Sequence, residues 1–194
     1  MVKYIGVDQL QSVINMEQTP EIKKSEILSV DQAYLECISD LIIHPKVLSM
    51  SQYIQHSDCT TLDHCICVSY FSYKRALRSG NNWRACARGG LLHDMYLYDW
   101  HSDKPPKGGL HGYVHPRIAE ETAAGIFELT ELEKEIILVH MWPLTLRPPQ
   151  SPEALIVSMT DKYCAAEEVL RIAVEKRKNI SSSVIEYAYR NIEK

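Results

Sequence analysis

Six residues of this chain have side chains suited to holding metal ions: His64, His93, Asp94, His115, His140 and Asp161. Two of them, His93 and Asp94, are adjacent and close the apolar lead-in Gly89-Gly90-Leu91-Leu92. A carboxylate carried inward by such a segment is costly unless something compensates its charge. Asp161 poses the same question, since its neighbours three and four residues away include Val157, Cys164 and Ala165. Each histidine taken alone reads as an ordinary hydrogen-bonded or surface residue. Taken together, neutral imidazoles and carboxylates suit divalent transition ions such as Fe, Mn, Ni, Co or Zn. Four histidines and two aspartates exceed what one ion with open positions needs, and suit two ions with one aspartate shared.

The elements that must position these residues read as helices. Ser29 or Asp31 caps a first helix bearing Ala33, Ile38, Leu41 and Ile42, which ends near His44-Pro45. Thr60 or Thr61 caps a second that runs to about Ser79, with His64, Val68, Phe71 and Arg75 at helical spacing. A third runs from Trp83 towards Asp94. Residues 100–114 hold much glycine and proline and read as a loop, with a helix entering at His115-Pro116. Thr130 and Glu133 match a capping box before the stripe Leu132, Ile136, Val139 and His140. Ser151-Pro152 starts a long helix to about Lys178, and Ser181 or Ser182 caps a last one. Strand signals are scarce. The expectation is an all-α, single helical domain over residues 29–194, after a weakly patterned lead-in at 1–28.

Composition narrows the function classes. The chain has 194 residues and a net charge of −4, which argues against an extended nucleic-acid or membrane surface and leaves a local basic pocket open. The six cysteines lack paired C-x-x-C spacing, so a zinc module is not expected and they read as small hydrophobes. No basic-then-apolar leader and no bilayer-length apolar run are seen, so the expected location is cytoplasmic and reducing.

Further residues border the six. Lys104, Lys107, Arg117, Arg147 and Lys162 are candidate phosphate-binding cations or solvated charges, with Lys162 and Arg117 nearest a ligand in sequence. His111 and His101 read as gating, proton-donating, ligating or solvated loop residues. Asp99 is a candidate hydrogen-bond partner for a histidine, or a cap. His44 and His56 read as structural or surface residues. Tyr96, Tyr98 and Trp100 read as core packing, or as rings that stack a base.

The order His…His-Asp…Asp, carried by His64, His93-Asp94 and Asp161, resembles the HD-domain superfamily of metal-dependent phosphohydrolases. The extra pair His115 and His140 resembles its dinuclear members. The resemblance covers about residues 45–175. It implies an HD-type helical bundle in which Asp94 is the catalytic aspartate that bridges two ions. The implied activity is a phosphomonoesterase or phosphodiesterase acting on a small nucleotide or phosphorylated metabolite through a metal-bridging hydroxide. The implied partner is that small molecule. Two departures stand out. Met95-Tyr96-Leu97 replaces the Ile-Gly-Lys that many members carry, and no GYP triplet follows, although His111–Pro116 superficially resembles one. "LLHDMYLYDWH" with "HMWPLT" resembles a compact bacterial branch, which implies no substrate. Two other readings share the ligand set: a di-iron oxygenase similar to myo-inositol oxygenase, and a non-catalytic nucleotide-binding module.

Overall fold

Asp31 accepts the Ala33 backbone N–H at 3.0 Å and opens α1 (Gln32–Ile42), the first element of the chain that the computed structural model describes, residues 30–192. Of the two expected caps, Ser29 lies outside the described residues, as does the lead-in. His44 then caps α2 (Pro45–Leu48) through its ring nitrogen, and a 3₁₀ turn, Ser49–Gln52, follows. A short antiparallel hairpin, β1 (Ile54–His56) and β2 (Cys59–Thr60), comes next, with Ser57 at φ 56° in its turn. Nothing in the sequence reading anticipated this hairpin, which uses Ser57-Asp58 where hairpin turns favour asparagine-glycine.

Thr60 caps α3 (Thr61–Ser79), and Gly80 ends it at φ 72°, a left-handed conformation that glycine adopts at no steric cost. Asn82 caps α4 (Trp83–Leu92). Thr130 and Glu133 form the expected capping box at the start of α6 (Glu131–Val139), and Ser151 caps α7 (Pro152–Val169).

Two boundaries differ from expectation. The helix before α6, α5 (His111–Ala124), starts one turn earlier than His115-Pro116. Gly108 and Gly109, at φ 73° and 87°, end the loop just before it. His111 stacks against Trp100 and His115 at interplanar angles of 15° and 16°, which holds the extra turn in place. Pro116 therefore lies inside the helix, where its missing N–H leaves a single carbonyl unpaired. The second difference is that α7 stops at Val169, not near Lys178. The chain reverses through Arg171 and Ala173, both at φ 53°, into α8 (Val174–Ile192). No glycine or proline marks this turn. It exists because reversal lets Ile180, Val184 and Ala188 join the core. Ser181 and Ser182 are accordingly interior to a helix, and Ser181 bonds Asp63 on α3.

The described residues form eight α-helices with almost no strand, an all-α fold. The central element is α3, which packs against α1's neighbour α4 as well as against α7 and α8. It is buried nearly all round, as a helix enclosed by others must be. One core joins Tyr34, Ile38, Leu41, Ile66 and Leu91, and a second joins Val68, Cys86, Ile136, Val139 and Val157. Gly90 makes the α3–α4 contact possible, because a Cβ there would lie 3.0 Å from the Ser69 Cα. All six cysteines are free thiols. No helix among the described residues is long and apolar enough to cross a membrane.

Candidate metal centre

Helix ends deliver the centre's side chains. His64 sits one turn into α3, His93 caps the C-terminus of α4 with Asp94 next to it, and His140 caps the C-terminus of α6. His115 comes from α5 and Asp161 from the middle of α7. All six are buried, none more than 8% exposed. Their imidazole and carboxylate atoms form three overlapping groups, each with its atoms within 4.8 Å of one another: His64, His93 and Asp94; His93, His140 and Asp161; Asp94, His115 and His140. These buried groups could hold a metal ion.

The ring protons decide what the centre can bind. His93 Nδ1 faces the Gly90 carbonyl at 2.8 Å, His115 Nδ1 the His111 carbonyl at 2.9 Å, and His140 Nδ1 the Ile137 carbonyl at 2.7 Å. His64 Nδ1 faces both carboxylate oxygens of Glu168 at 2.9 and 3.0 Å. Every one of these partners is an acceptor, so the neutral tautomer with its proton on Nδ1 satisfies all four. Each Nε2 of a neutral ring is then a lone pair, and all four are turned inward. His115 Nε2 and His140 Nε2 stand 2.8 Å apart, two lone pairs face to face. His93 Nε2 and Asp94 Oδ1 are buried with no hydrogen-bond partner. Such an arrangement could accommodate a cation among the lone pairs.

The carboxylates face the same way. Asp161 Oδ1 lies 3.1 Å from His64 Nε2 and 3.7 Å from His93 Nε2. Asp94 Oδ1 lies 3.2 and 3.3 Å from the Nε2 atoms of His115 and His140, while its Oδ2 lies 3.5 Å from His93 Nε2. Burial alone would raise both carboxyls, yet the facing imidazoles hold them well below the ordinary carboxylate range. Burial also disfavours a charged His93, but Asp94, Cys65 and Asp161 outweigh it and lift that ring above the ordinary imidazole range. Cation and proton compete for the same lone pair.

Two supporting residues escaped the sequence reading. Gln55, from β1, donates Nε2 to Asp94 Oδ2 at 2.6 Å, and its Oε1 accepts from Tyr96 at 2.6 Å and from Thr61 at 3.2 Å. Its sequence context, a lone glutamine in a three-residue strand, carries no signal for this role. Glu168 orients His64 and is in turn bonded by the buried Arg177 of α8. Glu168 did carry a signal, because it lies about two helical turns beyond Asp161 and so on the same face of α7.

The centre opens into a cleft of about 620 Å³. Lys162 and His111 line it; Arg117 and Lys104 do not, and both are exposed. Lys162 Nζ is directed at the His140 carbonyl at 2.7 Å and at Ser158 Oγ and O at 3.1 and 3.2 Å, so it ties α7 to the end of α6. Burial, with His115 adding to it, pushes His111 down to about 4, so at neutral pH it is no phosphate-binding cation. His56, read as structural or surface, in fact lines the cleft, its ring 6.0 Å from that of His64. His101 lies outside the cleft beside Trp100 and Asp99. Tyr96 and Tyr98 are packed, as the core reading has it.

No protein-family profile, curated protein or solved structure matches this chain.

Proposed function

We propose that this chain is a metal-dependent phosphohydrolase of the HD-domain type, holding two divalent transition ions. One observation carries the reading: four imidazoles, each with its Nδ1 proton committed elsewhere, turn their Nε2 lone pairs onto two buried aspartates. The residues fit two ions better than one. Asp94 directs Oδ1 towards His115 and His140 and Oδ2 towards His93, so it stands between two groups of ligands. His64, His93 and Asp161 would hold one ion, and His115 and His140 the other, with Asp94 shared.

Bound divalent ions supply a water acidified to near-neutral pKa and a clamp for phosphoryl oxygens. The protein's part is positional. Gln55 keeps the Asp94 carboxylate from rotating, Glu168 and three backbone carbonyls fix the imidazole planes, and the buried surroundings keep bulk water from weakening the charges. His56 and His111 line the cleft wall beside the ligands as neutral rings, able to accept or relay a hydrogen bond.

The test is elemental analysis of the purified protein, with phosphate release measured over a panel of phosphate esters for the wild type and for Asp94→Ala. The expected result is bound transition metal, metal-dependent release, and loss of both in the variant. Metal-free protein that gains no ion on titration overturns the reading, as does unchanged turnover by Asp94→Ala. Oxygen consumption by an iron-loaded protein without phosphate release would replace it with the oxygenase reading.

A further inference from the structure

We infer that the cleft takes an ester bearing a single phosphate group on an uncharged, largely apolar alcohol, a class that aryl and short alkyl monophosphates represent. This deepens, and rests on, the phosphohydrolase reading. The first argument is charge. Two divalent ions set against Asp94, Asp161 and the hydroxide leave one net positive charge, which a single phosphate group already offsets. A second phosphate group would need another cation. Among the described residues, Lys162 is the one cationic side chain that lines the cleft. An ammonium has three protons, and Lys162 has three acceptors at 2.7, 3.1 and 3.2 Å, all within the protein. Arg117 and Lys104 are exposed and do not line it, and Lys107 is paired with Glu121.

The second argument is the wall. Away from the metal ligands, one side of the cleft is walled by Trp100 and by Met141, Pro143 and Leu144 of the segment after α6, with His56, His111 and Lys162 elsewhere in the lining. Leu110, Tyr113 and Leu146, next to or two residues from cleft-lining residues in the chain, are 73%, 55% and 95% exposed. Carbohydrate hydroxyls would find few partners on that apolar side. An apolar body gains by leaving water there.

The experiment compares kcat/KM of the metal-loaded protein for phenyl phosphate, hexyl phosphate, glycerol phosphate and ATP. In parallel, calorimetry compares the affinities of phenylphosphonate and methylphosphonate, which are not hydrolysed. The expected result is a preference of about tenfold or more for the phenyl and hexyl esters over glycerol phosphate, from burial of the apolar group. ATP is expected to be the poorest substrate, and phenylphosphonate to bind at least tenfold tighter than methylphosphonate. Leu144→Asn is expected to narrow the phenyl-to-glycerol ratio. The phenyl and hexyl arms separate an aromatic from an aliphatic body. Equal rates for all monoesters, or faster turnover of ATP, overturn this inference while leaving the phosphohydrolase reading intact. No turnover of any ester, with neither phosphonate bound by the metal-loaded protein, overturns that reading too.

Discussion

The side-chain amide of Gln55 donates to Asp94 Oδ2 at 2.6 Å, and its own oxygen accepts from the Tyr96 hydroxyl at 2.6 Å. The hairpin thus reaches across to hold the carboxylate that stands between two groups of imidazoles. Tyr96 lies two residues after Asp94, so the aromatic stretch after the His93-Asp94 pair locks the glutamine that locks the aspartate.

Removing that hold should loosen the metal centre without unfolding the protein. Gln55→Leu is expected to lower divalent-ion affinity by about 10–100-fold, because Asp94 can then rotate. Competition with a chromogenic chelator measures the affinity, and far-UV circular dichroism checks the fold. An unchanged affinity would show that Asp94 is held by its histidine neighbours alone.

Glu168 serves His64 and Arg177 at once, so its variants should separate two effects. Glu168→Gln keeps an oxygen that can accept the His64 Nδ1 proton but removes the charge facing the buried Arg177. Glu168→Ala removes both. Breaking a buried ion pair outright costs about 3–5 kcal/mol; Arg177 keeps Glu167 at 3.4 Å, so a smaller fall in the urea midpoint is expected for both variants. Metal affinity should fall much further in Glu168→Ala. Equal affinities in the two variants would mean that Glu168 does not orient His64.

Gly90 is the point of closest approach between α3 and α4. Gly90→Ala would place a methyl group 3.0 Å from the Ser69 Cα, a backbone atom that cannot swing aside. The expected cost is about 1–3 kcal/mol, read as a lower midpoint in urea or heat. Because Gly90 also supplies the carbonyl that His93 bonds, metal affinity should fall in the same variant. A midpoint equal to the wild type's would show that the helices can separate freely.

Asp31 caps α1 and also accepts the Tyr73 hydroxyl at 2.7 Å. That hydrogen bond, against a smaller opposing effect of burial, holds its carboxyl below the model-peptide value of 3.8. A carboxyl lowered in the folded state stabilises it above its unfolded pKa, and that stability is lost as pH falls through the folded value. Asp31→Ala is therefore expected to cost about 1 kcal/mol at neutral pH, and the gap to the wild type should close below about pH 3.8. A gap that persists undiminished at pH 2 would mean that the carboxylate charge is not what the cap uses.

How much was legible differs from element to element. Thr60, Thr130 with Glu133, and Ser151 announce helix starts because capping is chemistry within four residues, and each cap is where the pattern places it. The turn at Arg171 and Ala173 was not legible. Its cause lies in α8 packing back onto α1 and α3, with Arg177 meeting Glu167 and Glu168. The early start of α5 likewise depends on Trp100, eleven residues upstream, stacking on His111.

The six metal-capable residues were identifiable because residue type and the periodicity of the apolar neighbours are local properties. That alone determined an all-α chain with buried imidazoles and carboxylates. Tertiary structure decided the rest. It selected which acceptor takes each Nδ1 proton, and hence that the four Nε2 lone pairs face one another. It brought Gln55 and Glu168 to the centre, removed Arg117 and Lys104 from the cleft, and left Lys162 as the lone cation lining it among the described residues. The physical reason is reach. A cap or an apolar stripe is set by neighbours within a turn or two, whereas the orientation of an imidazole depends on a carbonyl or carboxylate that may come from as far away as Glu168 does from His64, 104 residues along the chain.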